Sequence, residues 1–474
     1  MLPTLHVRNC IYEIFVDRFA RSDGSATALP ESAESFWTAH AGGSLDGITA
    51  HFDHIRELGA DAVYLTPIFP AKSNHKYDVA DYWSIDEAFG GMPAFERLVE
   101  QCRKNNCGLI LDGVFNHVGT QHPWFLKACQ TNDAPEKDFF LWLDHPVDYE
   151  CWQSHRSLPE LNLDHPVVIE TLIKGSDSVL RYWLRRGATG WRLDCANDLG
   201  PQLCSEIARI VSEENAPDGA VGEIMGYAEE FAQEGCLDGV MNYYFRATIL
   251  SLLKGETTVE QAAANLKRMA KRYHYPALLR SWNVLATHDT PRLATLIPHR
   301  KARLLGYALA FSYSGIPMIY YGEEIGMNGG PDPSNRGPMV WDREQWDGQT
   351  FAFIQKLTRL RREWEALRIG RYENLPQPAH PTVLAFARST SNPRETVVVL
   401  ANVSDQPAKG RFFIPISSLF DSLPLKDLLQ ENRITRMESG SFVTELEEYD
   451  VAFFVPHEDK HPRYSYFSGY GKVT

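Results

Sequence analysis

The sequence predicts an α/β fold, a (β/α)8 TIM barrel with a short inserted lid domain and a C-terminal antiparallel β-sandwich. Short apolar runs alternate with segments of helical periodicity over roughly the first 325 residues, which is the pattern of repeated βα units. The alternation is interrupted over residues 118–165. After about residue 375 it gives way to strands with a two-residue period, which are typical of antiparallel sheets.

Eight candidate strands account for the barrel. In chain order they are CIYEIFV from residue 10, DAVYLTP from 61, GLILDGV from 108, GWRLD from 190, GAVGEI from 219, LDGVMNY from 237, WNVLATHD from 282 and IPMIYYG from 316. Between them, apolar residues recur at helical spacing. The two clearest helical faces are Ile48, Phe52, Ile55 and Leu58, and then Phe95, Leu98, Val99 and Cys102.

These patterns divide the chain into three parts. Residues 1–117 and 166–374 are predicted to form the (β/α)8 barrel, and residues 118–165 the lid, which is rich in Trp, His, Pro and Asp. Pro166 is expected to open the helix that follows the lid. Residues 375–474 are predicted to form the β-sandwich, with strands such as TVLAFAR, TVVVLANV and YDVAFFV.

Composition excludes several classes of protein. Lys and Arg total 47 against 61 Asp and Glu, a net charge of -14, which disfavours a nucleic-acid partner or an anionic membrane. The opening segment has no signal-peptide pattern and no apolar run reaches eighteen residues, so a cytoplasmic protein without a membrane partner is expected. The eight cysteines include no Cys-x-x-Cys pair and are expected to be reduced, packed thiols.

The segment GWRLDCAND, residues 190–198, places two charges in a strand that otherwise reads as buried. Side chains at positions i and i+2 of a strand share a face, so Arg192 and Asp194 point the same way. One interpretation is a structural ion pair, because buried charges are normally paired. The other is that Arg192 holds Asp194 ionised and oriented for chemistry.

Polar residues recur at the predicted carboxyl ends of strands, where barrel enzymes place their chemistry. They are Asp112, Asn116 and His117 on the third strand, Arg192 and Asp194 on the fourth, Glu223 on the fifth, and His288 and Asp289 on the seventh. One such acid alone could be a helix N-cap or a rim charge. Several carboxylates at one barrel mouth instead match glycoside hydrolysis, which needs one ionised carboxylate and one protonated carboxyl group. Arg192 would keep Asp194 ionised, and Glu223 is expected to have a raised pKa.

The same residues lie in motifs that occur in a known order. ADAVYLTPIF, DGVFNH, GWRLDCAND, VGEI, ATHDT and GIPMIYYGEEIGM together resemble the α-amylase family of glycoside hydrolases over nearly the whole chain. The resemblance implies that Asp194 is the nucleophile, Glu223 the general acid/base and Asp289 the transition-state stabiliser. It also implies a set of sugar-binding residues: Tyr77, Asp78, His117, Arg192, Asn197, Asp198, Met225, His288, Asp332 and Arg336. No metal site is predicted, because His117 and His288 have no third ligand at a suitable spacing.

Finer features are similar to the neopullulanase, cyclomaltodextrinase and maltogenic amylase group. They are LPELN at 158–162, VMNY at 240–243, and Thr287 before His288. Three departures stand out: the first predicted strand begins near residue 10, whereas that group usually has an N-terminal β-domain before the barrel; Met225 replaces its usual Trp; and DRFARSDGS lacks most calcium-loop ligands. We therefore expect no required cofactor, with bound calcium as an alternative, and leave monomer and homodimer both open.

The predicted function is retaining hydrolysis of α-1,4, and alternatively α-1,6, glucosidic bonds in short or cyclic maltooligosaccharides through a glycosyl-aspartate intermediate. A transglycosylase or isomerase would use the same intermediate. A non-catalytic binding barrel predicts a lost carboxylate, whereas all three are present. Trp124, Trp142 and Trp152 of the lid are expected either to narrow the mouth against long polymers or only to form the lid's own core.

Overall fold

A computed structural model describes residues 6–30, 35–376, 380–458 and 465–467. Eight parallel strands close into a barrel in which each strand pairs with its sequence neighbours and the last pairs with the first. In chain order they are β1 Ile11–Ile14, β2 Ala62–Leu65, β3 Gly108–Gly113, β4 Gly190–Leu193, β5 Gly219–Ile224, β6 Gly239–Asn242, β7 Trp282–Asn283 and β8 Ile316–Tyr320. All eight predicted strands are present. The seventh pairs over two residues only, and the rest of its predicted length is a loop.

Alternation along the strands separates two layers of packing. One set of side chains fills the barrel interior, namely Ile11, Ala62, Tyr64, Ile110, Val221, Met241, Trp282, Ile316 and Met318. The opposite set packs outward against the helices. Because the apolar filling occupies the amino-terminal part of the barrel, polar interior positions are left at the carboxyl ends of the strands.

The longer helices cover the barrel. They are Leu45–Ala50, Phe52–Leu58, Gly91–Lys104, Val179–Arg185, Ala196–Glu213, Tyr243–Leu253, Val259–Arg272, Tyr275–Arg280, Arg300–Ser312, Gly348–Glu363 and Glu365–Ile369. Both predicted helical faces are buried, although the first is divided between two helices at His51. Among the described residues, no helix has both the length and the apolar character that a membrane span requires.

Residues 118–165 form a small substructure above the barrel. It contains the helix Pro123–Ala128, the 3-10 turn Pro135–Phe139 and the short antiparallel strands Trp142–Asp144 and Asp148–Tyr149. A β-bridge between His117 and Glu160 ties it to the end of β3. Pro166 occupies the first turn of the next helix, Pro166–Ile169, as predicted.

The C-terminal part is antiparallel, as predicted, but its first strand, Arg371–Asn374, lies before the predicted boundary at residue 375. A six-stranded sheet contains Arg371–Asn374, Val383–Ser389, Val397–Asn402, Val451–Pro456, Pro424–Asp427 and Ile434–Arg436, and a two-stranded sheet pairs Ala408–Phe413 with Ser441–Leu446. Alternate residues of the central strands belong to different cores: Leu384 and Phe386 pack with the barrel, whereas Ala385 and Ala387 pack between the two sheets. The predicted fold class is therefore confirmed.

Candidate active site

The carboxyl ends of four barrel strands bring the predicted charged residues together. Arg192 lies on β4, in register with Asp112 on β3, and Asp194 follows β4 directly. Glu223 lies near the end of β5. The loop after β7 contributes His288 and Asp289 from the other side of the mouth.

One guanidinium group organises three carboxylates. Arg192 Nη1 donates to Asp112 Oδ1 at 2.8 Å and to Asp194 Oδ1 at 2.8 Å. Its Nη2 lies 3.0 Å from Glu223 Oε2. The side chains of Arg192 and Asp112 are fully buried. Arg192 is therefore both a structural ion-pair partner and the holder of Asp194, so the two interpretations of the sequence describe one network.

Burial outweighs the positive charge at both candidate catalytic carboxyl groups. Burial raises the pKa of Asp194 to about 6, against the opposing effect of Arg192. Burial likewise raises the pKa of Glu223, as predicted, and Arg192 again opposes the shift. The expectation that Arg192 keeps Asp194 ionised therefore holds only above about pH 6, because burial outweighs the attraction of the guanidinium.

At Asp289, the remaining candidate catalytic carboxylate, nearby positive charge outweighs burial in setting the pKa. Burial acts to raise the pKa of Asp289, but His288 and Arg336 outweigh it and lower that pKa. His288 Nε2 lies 3.1 Å from Asp289 Oδ2, and Arg336 Nη2 donates to Asp289 Oδ1 at 3.2 Å. On its other side, His288 Nδ1 meets Glu13 Oε1 at 2.5 Å. Asp289 is thus held as a carboxylate, close enough to Asp194 and Glu223 for its charge to raise the pKa of both.

Tyr77 connects the two sides. Its hydroxyl donates to Asp112 Oδ2 at 2.9 Å and lies 2.6 Å from His288 Nε2. The rings of Tyr77 and His288 stack with centroids 5.7 Å apart. Asp78 accepts hydrogen bonds from the backbone and hydroxyl of Ser73, so its carboxylate is engaged in shaping this loop. The predicted contact of Asp78 with a sugar stays a prediction.

The remaining predicted sugar contacts lie around the mouth. Asn197 and Asp198 are exposed at the start of the helix after Asp194, and Met225 is 57% exposed beyond Glu223. Asp332 Oδ1 lies 3.0 Å from Arg336 Nε. His117 is buried at the end of the segment after β3, and burial lowers its pKa to about 3, so its imidazole is neutral.

The three lid tryptophans have different surroundings. Trp142 packs against Phe125 and donates its indole N–H to the Lys137 carbonyl, and Trp124 packs edge-on against Phe139. These two rings therefore belong to the core of the lid. The ring of Trp152 instead lies 5.9 Å from that of His117, at the mouth of the pocket.

Three groups at the site are absent from the set predicted by sequence. Glu13 on β1 holds His288, and Tyr64 on β2 donates to Asp112 Oδ2 at 2.6 Å. The backbone N–H of Cys195 donates to Glu223 Oε2 at 3.0 Å, and its thiol lies 3.2 Å from Asp194 Oδ2. A lone carboxylate within the apolar run CIYEIFV is the sequence signal for Glu13. Cys195 has no such signal, because buried thiols usually only pack.

The segment DRFARSDGS does not fit a calcium ion. Asp17 is paired with Arg18 and accepts the backbone N–H groups of Ala41 and Gly42. Asp23 accepts from the backbone of Ser25. Calcium prefers six to eight oxygen ligands, and these two carboxylates are already engaged by the protein. Activity without a cofactor stays a prediction.

Comparison with known proteins agrees with this geometry. A family model described as "Alpha amylase, catalytic domain" matches residues 13–366. The chain is 34% identical over 416 residues to a cyclomaltodextrinase from a Bacillus species, covering 84% of this chain and 74% of that protein. It is 35% identical over 407 residues to neopullulanase 2 of Thermoactinomyces vulgaris, covering 82% of this chain and 68% of that protein.

A solved structure gives the same result in three dimensions. The ligand-free cyclic α-maltosyl-(1→6)-maltose hydrolase of Arthrobacter globiformis superimposes with a TM-score of 0.79 at 29% identity, covering 94% of this chain and 98% of that one. The matched segment contains all three candidate catalytic carboxylates, Asp194, Glu223 and Asp289. The chain belongs to the α-amylase family of glycoside hydrolases.

Proposed function

We propose that this protein is a retaining hydrolase of α-1,4-glucosidic bonds in short or cyclic maltooligosaccharides, with α-1,6 bonds as a further substrate class. The observation that carries the proposal is the single guanidinium of Arg192, which contacts both Asp194 and Glu223 while His288 and Arg336 keep the nearby Asp289 ionised. Relatives named cyclomaltodextrinase and neopullulanase support the substrate class.

In the proposed reaction, Asp194 attacks the anomeric carbon while Glu223 donates a proton to the departing glycosidic oxygen. Water, deprotonated by Glu223, then releases the sugar from Asp194. Asp289 and the buried polar groups stabilise the positive charge that develops on the ring. Transglycosylation uses the same intermediate with a sugar hydroxyl in place of water, so the product mixture at high maltotriose concentration measures the balance.

The first prediction concerns stereochemistry. Two inversions at one carbon give net retention, so proton NMR of the first product is expected to show the α-anomer. Carboxyl groups about 5–5.5 Å apart are typical of retaining enzymes, whereas about 6.5–9.5 Å is typical of inverting ones. Initial release of the β-anomer would overturn the covalent mechanism.

The second prediction is a bell-shaped pH profile of kcat/KM. Asp194 must be ionised to attack, so activity is expected to fall as the pH drops through about 6. Glu223 must be protonated to act as an acid, so activity falls again as the pH rises through its raised pKa. Because Asp194 and Glu223 interact, the two apparent pKa values of the profile describe the pair and not the separate residues.

The variant Glu223→Gln separates the two limbs when a maltosyl fluoride is the substrate, because fluoride leaves without a proton. The alkaline limb is expected to disappear. The acid limb is expected to remain near the same pH, because Glu223 is protonated and uncharged over the range in which Asp194 ionises, and glutamine is likewise uncharged. An unchanged alkaline limb would show that another group is the acid.

The third prediction concerns substrate size. Because Trp152 lies at the mouth beside His117, we expect a higher kcat/KM for cyclodextrins, cyclic oligosaccharides or maltotriose than for soluble starch, per reducing end. Trp152→Ala should narrow that difference, whereas Trp83→Ala, which removes an aromatic ring packed on Tyr182, should not. Equal or faster hydrolysis of starch by the wild type would contradict the proposal.

We also propose a cytoplasmic location. All eight cysteines are free thiols in the structure, which suits a reducing compartment.

A further inference from the structure

Three potential metal ligands, one of them the candidate nucleophile Asp194, converge at the end of β4. Ligand atoms of His117, Asp194 and Cys195 all lie within 4.8 Å of one another, and all three residues are buried. The Cys195 thiol is only 3.2 Å from Asp194 Oδ2. Cys195 has left-handed backbone angles, φ 47° and ψ 43°, which are costly for a residue with a side chain and recur at functional sites.

His117 gives an independent indication of a ligand. The side chain is buried, with the residue only 1% exposed, yet neither ring nitrogen has a well-formed hydrogen-bond partner among the described residues. A buried polar atom without a partner costs free energy. The neutral imidazole is also in the protonation state that coordinates a metal.

The geometry suits a small tetrahedral cation. Bonds of about 2.3 Å to sulfur and about 2.0–2.1 Å to nitrogen or oxygen place two ligands of one zinc ion about 3.5 Å apart. The Cys195 to Asp194 distance already meets this requirement, and the other pairs need side-chain movements of about 1 Å. Arg192 engages Oδ1 of Asp194, which leaves Oδ2 facing the thiol.

We propose that His117, Cys195 and Asp194 form a binding site for a thiophilic divalent cation such as Zn²⁺, and that the bound cation inhibits the enzyme by capping Asp194. The thiol proton passes to solvent water as the thiolate binds. Because His117 and Asp194 are also predicted to contact the sugar, cation and sugar are expected to exclude each other. Only the inhibitory part rests on the proposed function, because cation binding does not require Asp194 to be the nucleophile.

Binding is tested by titrating the full-length protein with Cd²⁺ and following the ultraviolet thiolate-to-cadmium charge-transfer band. We expect the band in wild type and in the matched control Cys129→Ala, whose cysteine lies in the lid. Cys195→Ala should lose it, and His117→Gln should weaken cadmium affinity at least about tenfold, since even partners of a ligand cost 10–100-fold when removed. Excess maltotriose should suppress the band. A full band in Cys195→Ala, or a band insensitive to His117→Gln, would overturn the site.

Inhibition is tested with Zn²⁺, comparing the rate of each variant with and without the metal so that its basal activity cancels. Wild type and Cys129→Ala should show inhibition that is competitive with maltotriose and reversed by EDTA. Cys195→Ala should need at least about tenfold more Zn²⁺. A cadmium band without zinc inhibition would reject the capping of Asp194 while leaving the binding site intact.

Discussion

Replacing Asp194 by asparagine is expected to lower kcat by at least about a thousandfold while the protein stays folded. An amide keeps the shape of the side chain but cannot form the glycosyl intermediate, and loss of several kcal/mol of transition-state stabilisation costs tenfold per about 1.4 kcal/mol. Glu223→Gln and Asp289→Asn should cause losses of the same order with natural substrates. Steady-state hydrolysis of maltotriose measures all three.

The raised pKa of Asp194 predicts how the Asp194→Asn variant differs in stability, so that a loss of activity can be distinguished from a loss of fold. Burial raises the pKa of Asp194 in the folded protein, so its ionised form opposes folding at neutral pH. Asp194→Asn is therefore expected to be at least as stable as wild type at pH 7 in urea unfolding. Asp177→Asn, at a carboxylate that is 94% exposed, serves as the control and should keep full activity. Near-wild-type turnover in any of the three variants would show that its role is wrongly assigned.

Replacing Arg192 by methionine is expected to cost both activity and stability. It removes the guanidinium that contacts Asp112, Asp194 and Glu223. Removing one partner of a buried ion pair typically costs about 3–5 kcal/mol of unfolding free energy. We expect a loss of at least this order, because several carboxyl groups lose their counter-charge together. Urea unfolding at pH 7 measures the loss.

The pH dependence of this loss identifies its cause. Without Arg192, the buried carboxyl groups are expected to have still higher pKa values in the folded state, so protonation at lower pH should recover part of the stability. The stability difference from wild type should therefore shrink between pH 7 and pH 5. Arg97→Met, which breaks an exposed pair with Asp46, should cost at most about 1 kcal/mol at either pH. A loss of stability from Arg192→Met that does not change with pH would point to packing instead of charge.

Much of the fold could be predicted because its signals are local. Apolar runs such as GLILDGV and GAVGEI lie between turn residues, and each forms a barrel strand. One difference, the short β7, occurs where the chain leaves the barrel to present His288 and Asp289. Strand pairing depends on hydrogen bonds to neighbouring strands, so the length of the paired segment is not encoded in the run itself.

The positions of the charged residues could likewise be predicted from the sequence, because the carboxyl ends of all parallel strands in a barrel lie at the same mouth. Arg192 and Asp194 share a face by strand geometry alone. The sequence by itself therefore determined the barrel, its C-terminal sheet and the candidate carboxylates.

Only the tertiary structure decided how those groups act on one another. It buried Asp194 beside a guanidinium that also contacts Asp112 and Glu223, and this burial raises the pKa of Asp194 to about 6 despite the positive charge. It also put Glu13 behind His288 and turned the Cys195 thiol toward Asp194. Desolvation and Coulomb energies depend on burial and on distances between residues far apart in the chain, and no local sequence pattern carries that information.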